Sequence, residues 1–366
     1  MKILKSVFLL FCVSFCTSSQ AQDIHYTMFD MAPLEMNPVQ TGFFAGTFRV
    51  GGIYRTQWAG MSIVQSQPPL STGSTNFSGF QTPSAFIDVP FGIPPKDKNK
   101  TMKSWAGVGV SFYLDKVANV SNLAASLSLA YHLGLGPKGN TVLSFGLQGG
   151  ILEHRIKGDF TFEQDLTGAG AGDPLYASGE ASKTMPDFSG GLMLSHRSYR
   201  FGIEGGVAIN HFTNPNYSLG NGDDRLPMTV IANLIAKVRM TKKLFLKPLL
   251  FFQNTLNTTG VGEGLSAYDF NAQLLLGVHF NEAEDLTLYV GGGYRASGDA
   301  IIRVGLDVKG LKFGFAYDIN TQAQGLSYKV PTFNNNTGMA FEVALSYVAK
   351  IYKVPVIRDV LFCPRF

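Results

Sequence analysis

The sequence predicts an all-β protein, a transmembrane antiparallel outer-membrane β-barrel of about 14 strands. Three observations carry that expectation. Charged residues make up 15% of the chain, against roughly 25% in an ordinary soluble domain, while 41 Gly, 29 Phe and 14 Tyr are present. Stretches such as "NLAASLSLAYHL", residues 122–133, alternate strictly. Leu123, Ala125, Leu127, Leu129, Tyr131 and Leu133 fall on one face, and Asn122, Ala124, Ser126, Ser128, Ala130 and His132 on the other. Period two is the signature of a strand with one apolar side. The runs also last about ten residues, the length a tilted strand needs to cross a bilayer, where a soluble strand averages about five or six.

Taken from its start, the chain opens with the form of a cleaved signal peptide over 1–21. Lys2 and Lys5 precede the apolar run "SVFLLFCVSFC", and Ser19 and Ala21 supply the small residues before a cut between Ala21 and Gln22. The run is shorter than the roughly 20 apolar residues a membrane anchor requires. Phe11 and Phe15 stand before Cys12 and Cys16 where a lipidation site takes a small residue. Cleavage leaves Cys363 as the last cysteine, so no internal disulfide is expected. It also takes the formal charge from +4 to +2, which leaves no basic field for nucleic acid.

An N-terminal periplasmic segment is expected over 22–45, the barrel over 46–348 and a C-terminal periplasmic tail over 349–366. Strands are expected near 46–58, 81–91, 104–115, 121–134, 140–155, 186–197, 199–210, 228–241, 244–256, 266–281, 285–297, 300–309, 311–320 and 337–348. In "GVGVSFYLD" Val108, Val110, Phe112 and Leu114 share a face, as do Phe313, Phe315 and Tyr317 in "LKFGFAYDIN". Between Lys247 and Phe252 the alternation blurs. Connections alternate in length. "GPKGN", "RS", "TKK", "NEAED" and "KG" are tight, whereas 59–80, 156–185, 211–227, 257–265 and 321–336 are long. Outer-membrane barrels have short periplasmic turns and long external loops, which puts both chain ends in the periplasm. The basic connection "PPKDKNK" at 94–100 is longer than its neighbours on that side.

The apolar stripes then meet hydrocarbon and the polar stripes line the lumen. The lumen set includes His132, Lys237, Arg239, His279, Arg295, Arg303, Asp307, Lys312, Asp318 and Glu342. Mixed signs favour a lumen filled by ion pairs and small side chains, a plugged or narrow scaffold, over an open porin. No enzyme is expected. Barrel lipases carry a His and Ser pair on the outer wall, but His132 and His279 have lumen parity. No G-x-S-x-G, H-E-x-x-H or P-loop occurs, and "GAGAGD" at 168–173 has the wrong glycine spacing. No cofactor or metal is called for.

The ends of the chain carry a resemblance. "MNPVQTGFFAGTFRVGGIYRTQW", "GVGVSFYLDK" and the closing "CPRF" are similar to the PorP/SprF family of Bacteroidetes outer-membrane proteins. Asn37, Pro38 and Gly42 match the second half of its N-terminal motif, and Tyr54, Arg55, Gln57 and Trp58 match its first strand. Cys363, Pro364, Arg365 and Phe366 match its ending. "FDMAP" stands where the first N-P is usual, and Val39 replaces a small Ala. The resemblance implies a role in the type IX secretion system, in many members linked to gliding motility. The partners it implies are outer-membrane lipids, a periplasmic ring of a lipoprotein and a soluble subunit, and a secreted adhesin or other cargo. On that basis the motif residues are candidates for partner docking, with capping of the barrel mouth as the alternative. A fatty-acid-transporter-like or porin-like channel is the rival. It predicts an N-terminal plug and an apolar lumen path, whereas 22–45 is short and the lumen stripe is charged.

Overall fold

The computed structural model describes residues 24–57, 62–63, 75–76, 79–92, 104–117, 119–135, 140–157, 180–220, 222–256, 267–281, 285–321 and 339–351. The strands of the barrel are β1 (Phe48–Gln57), β2 (Phe80–Phe91), β3 (Ser104–Val117), β4 (Val120–Leu135), β5 (Thr141–Lys157), β6 (Glu180–Arg197) and β7 (Phe201–Asn210). They continue as β8 (Thr229–Arg239), β9 (Leu244–Thr255), β10 (Ala267–His279), β11 (Leu286–Arg295), β12 (Asp299–Val308), β13 (Leu311–Asn320) and β14 (Met339–Ala349). Each pairs antiparallel with its sequence neighbours, and β1 closes the ring against β14 from Phe48↔Ala349 to Gln57↔Ala340. A short hairpin pairs Ser62–Ile63 with Thr75–Asn76 outside the ring. No helix among the described residues is long and apolar enough to cross a membrane.

Parity decides which side of the wall each residue takes. On β4 Leu127, Leu129 and Tyr131 are about half exposed, while Ser128 and His132 on the other face are fully buried. The same division holds on β13 and β14, where Phe313, Phe315, Phe341 and Leu345 face out and Ala316, Asp318, Glu342 and Ala344 face in. An outer surface of Leu, Phe, Val and Tyr on nearly every strand is a liability in water and a match for acyl chains.

Two strands depart instructively from the apolar pattern. β6 begins at Glu180 rather than near 186. Its first residues pair with the charged end of β5, Glu153 to Lys157, and carry no apolar stripe to announce them. β9 is a regular strand through the blurred stretch. Its inward residues Phe245, Leu249 and Phe251 are themselves apolar and buried, so both faces are hydrophobic for different reasons.

The reason lies inside the ring. Residues 24–44, expected as a segment at the barrel mouth, lie within the lumen and are almost all buried. They fold as three tight turns, Phe29–Met31, Pro33–Met36 and Pro38–Gln40. Two of these begin on proline, whose fixed φ suits a first helical position. Asn37 takes the extended conformation favoured before proline, and its side chain accepts from the Val39 N–H. Tyr26, Met28, Phe29, Met31 and Met36 form one apolar cluster with Ile231, Ile235, Leu249, Phe251 and Leu275 of the wall. This segment is a plug. The expected signal peptide, the 94–100 connection, the 168–173 loop and the tail beyond Ile351 lie outside the described residues.

Leu127 tests the outward face, being central on β4 and about half exposed. Leu127→Arg lowers the stability of the protein folded into lipid vesicles by about 2–4 kcal/mol in a denaturant titration. Unchanged stability would place that face away from hydrocarbon.

Candidate functional site: the plugged lumen

The plug is held at two levels. Toward the short-turn end of the barrel, where β1 begins and β14 ends, it rests on a floor of glycines. A Cβ at Gly146 would overlap the Val39 backbone, one at Gly191 the Asn37 side chain, and one at Gly107 the Thr41 carbonyl. Only hydrogen at those wall positions lets the "NPVQTG" backbone approach so closely. Gly42 adopts φ +71, a left-handed conformation that turns the chain toward β1. Its N–H donates to Asp88 Oδ2 at 2.7 Å, and Trp105 Nε1 donates to its carbonyl at 3.0 Å. His132 closes this layer. Nε2 bonds the Thr41 carbonyl at 2.9 Å and Nδ1 the Ser144 hydroxyl at 2.8 Å, which makes Nε2 the donor and Nδ1 the acceptor.

Nearer the long-loop end the hold is ionic. Glu342 accepts the Thr27 and Met28 backbone N–H groups at 2.6 and 2.7 Å. Arg55 bridges Glu342 and Asp318, with the Asp318 contact at 3.1 Å. Arg295 pairs with Asp269 and donates to Thr27 Oγ1 at 2.7 Å. Gln273 donates to the Thr27 carbonyl at 2.7 Å. Between the levels, Asp30 of the plug accepts from Lys247 of β9 and forms an ion pair with Arg303 of β12, both at 2.7 Å. Burial alone would raise the Asp30 carboxyl, but these two cations outweigh it and hold it well below the usual carboxylate range. Removing one member of such a buried set costs about 3–5 kcal/mol, because a charge is left unpaired away from water.

Of the lumen residues expected from the sequence, His132, His279, Arg295, Arg303, Asp318 and Glu342 are buried inside the ring and Asp307 and Lys312 line its chamber, but they do not form one set. Arg295, Arg303, Asp318 and Glu342 grip the plug. His279 bonds Thr287 at 2.8 Å and lies against the Phe245 ring. Lys237 sits 4.1 Å over the same ring, and Arg239 lies over Tyr199 at the rim. Asp307 and Lys312 oppose each other across β12 and β13. Of the motif residues, Asn37, Pro38, Gly42 and Arg55 are enclosed with the plug and meet the barrel wall. A docking role at the surface is closed to them. Tyr54 points outward against Phe341, and Gln57 accepts from Arg55 at 3.1 Å. Trp58, Cys363, Pro364, Arg365 and Phe366 lie outside the described residues.

Several residues that hold the site escaped sequence reasoning: Thr27, Asp30, Glu35, Asp88, Trp105, Lys247 and Asp269. Their available signal was the double-sided hydrophobicity of β9 opposite an N-terminal segment rich in Met and Phe. A chamber of about 320 Å³ remains beside the plug, lined by Asp30, Phe43, Arg49, Glu204, Lys247, Arg303 and Lys312 among others. Among the described residues no group of three or more His, Cys, Asp or Glu converges as a metal site.

The profile of a family described as "Type IX secretion system membrane protein PorP/SprF" matches residues 18–347. The chain belongs to the PorP/SprF family. As a PorP/SprF barrel it is an outer-membrane component of type IX secretion, and the "NPVQTG" stretch of the family motif is an internal plug anchor. No curated protein matches the sequence. Solved structures with a similar fold include the toluene transporter TbuX of Ralstonia pickettii, with 10% identity, TM-score 0.50, and 92% of this chain and 96% of that one covered. A TodX mutant described as a monoaromatic hydrocarbon channel gives 10% identity, TM-score 0.50 and coverage of 86% and 93%. The translocator domain of the autotransporter NalP from Neisseria meningitidis gives 12%, 0.41, and 88% and 96%. At such identities the likeness concerns the fold alone.

Glu35 gives the plug a pH signature. Burial pushes its carboxyl up to about 7, with Ser84 and Arg49 opposing the shift without cancelling it. Neither of its oxygens is held by a hydrogen bond of good geometry. A raised carboxyl pKa means the seated plug prefers the protonated form. Its contribution is full below the free value near 4.3, declines as pH rises toward about 7, and is flat above. Glu35→Gln should therefore raise stability at pH 8 by about 2–3 kcal/mol and leave it little changed at pH 4. Thermal unfolding of both proteins at the two pH values checks the sign.

Proposed function

We propose that this PorP/SprF barrel is a non-enzymatic, sealed scaffold of the type IX secretion system. It supports the export or surface attachment of a secreted cargo, such as an adhesin, and through it gliding motility. Both chain ends and the short turns face the periplasm, where the barrel meets the ring of lipoprotein and soluble subunit. The long loops face outward. Family membership supports the secretion role. The alternation of connection lengths supports the orientation.

One observation carries the scaffold reading over a conduit. The lumen is occupied by residues 24–44, fixed by glycine contacts at one level and buried ion pairs at another. A segment with that many committed partners does not exchange on the timescale of passing solutes. The rival, a passive transport channel, also carries a plug, so its presence alone does not separate the two. The number of buried partners that hold this one supports the scaffold.

Planar-bilayer recordings of the purified mature protein test the difference. The scaffold gives no large steady current at neutral pH. The double variant Arg55→Ala/Arg295→Ala, which strips the ionic hold, gives frequent openings. A large steady current from the unmodified protein contradicts the sealed scaffold. Recovery of ring proteins with affinity-tagged barrel tests the placement separately.

A further inference from the structure

At the long-loop end the plug's ionic partners stand on β1, β10, β11, β13 and β14, at Arg55, Asp269, Arg295, Asp318 and Glu342. The opposite sector, β3 to β6, is covered by another part of the chain. The connection between β7 and β8, described over 211–220 and 222–228, folds back over it. Tyr217 and Leu226 of this connection pack on Ala124, Leu152 and Met185, which lie on the lumen faces of β4, β5 and β6. Its two arms form a narrow hairpin. The Tyr217 N–H donates to the Asp224 carbonyl and the Leu226 N–H to the Pro215 carbonyl, both at 2.9 Å.

We propose that this connection is a hinged lid, closed in this structure, that seals the sector of the long-loop mouth the plug leaves uncovered. The inference extends the sealed reading above to a second element. Its seat, its hinge and its lighter hold support it. Lys183 of β6 reaches from the lumen wall and donates to Asn216 Oδ1 and the Ser218 carbonyl, both at 3.0 Å. The His154 ring of β5 meets Tyr217 edge-on at 5.7 Å. These are contacts of a segment turned into the mouth rather than extended into solvent. The hinge lies just past β7, where His211 and Asn214 take φ +55 and +44, a left-handed conformation uncommon for residues with a Cβ. His211 is pinned there by Asp187 of β6, with Nδ1 2.9 Å from Oδ1. Among the described residues the lid's apolar seat rests on Tyr217 and Leu226, whereas the plug is fixed by buried ion pairs and wall glycines. The lid is therefore the element that opens at the lower cost. Tyr113 of β3 packs against both apolar clusters, so the closed lid abuts the edge of the plug.

The test uses the full mature chain in neutral detergent, carrying Cys363→Ser and one reporter cysteine labelled by a water-soluble maleimide. Met185 lies under the lid and Met28 in the plug, both buried, so Met185→Cys and Met28→Cys are the two reporters. With the lid intact both label slowly. Tyr217→Ala/Leu226→Ala, which removes the apolar seat, should speed labelling at Met185→Cys about tenfold or more and leave Met28→Cys unchanged. His211→Ala, which removes the pin and keeps the seat, should speed it about threefold or more. Circular dichroism checks that the sheet is retained, and if the double variant loses it, His211→Ala carries the decision. Labelling that stays slow in both lid variants overturns the lid, as does rapid labelling at Met185→Cys in the otherwise unmodified chain. Equal acceleration at both reporters makes lid and plug one unit and overturns the separate lid. Slow labelling together with a large steady current from the unmodified protein removes the sealed scaffold and keeps the lid. Rapid labelling with electrically silent bilayers does the reverse.

Discussion

A ring of fourteen strands is too wide for its own side chains to fill. Eight strands close around a packed interior and sixteen to eighteen leave a water channel. Between these limits the interior has to be occupied by something, and here it is the chain's own N-terminal segment. The exchange is mutual. The plug supplies two backbone N–H groups and a hydroxyl to Glu342, Asp318, Arg55 and Arg295. Those residues could not be buried without them. The wall in turn supplies the glycines that let the plug backbone lie against it. Neither half is a sound structure alone.

This arrangement gives the barrel three kinds of surface from one alternating pattern. Outward positions are Leu, Phe, Val and Tyr because they meet hydrocarbon. Inward positions near the plug's centre are Ile, Leu and Phe because they meet Met28, Phe29 and Met36. Inward positions elsewhere are mostly polar or small, with Trp105, Val142 and Met193 packed against Val39 and Phe43. The charges are distributed by height. They are tightly paired around Thr27, bridged twice at Asp30, and paired again between Arg49 and Asp88 toward the short-turn end. The seal is deepest around Thr27, and a recess remains beside Asp30.

The barrel was legible in the sequence because period two is local, and each strand declares its own faces. Fourteen segments with nearly correct limits come from that signal alone. The polar start of β6 was missed because Glu180, Ser182 and Thr184 face out beyond the apolar band, where no stripe marks them. The plug was not legible, since residues 24–44 have no period and their contacts lie up to hundreds of positions away, as in Thr27 with Glu342. The shortness of that segment argued against a plug, yet three tight turns make it compact enough to fill the lumen. Trp105 illustrates the same limit. It sits in an ordinary strand, and only the fold brings its indole to the Gly42 carbonyl.

Sealing depends on whether 24–44 is locked in the lumen at rest. Hydrogen–deuterium exchange on the detergent-purified protein measures this directly, because the Thr27 and Met28 amides donate to a buried carboxylate. A locked plug predicts that peptides spanning 24–44 stay protected as long as those from the β13 and β14 strands. Exchange of that segment at the rate of the connecting loops, while the strands remain protected, would contradict it.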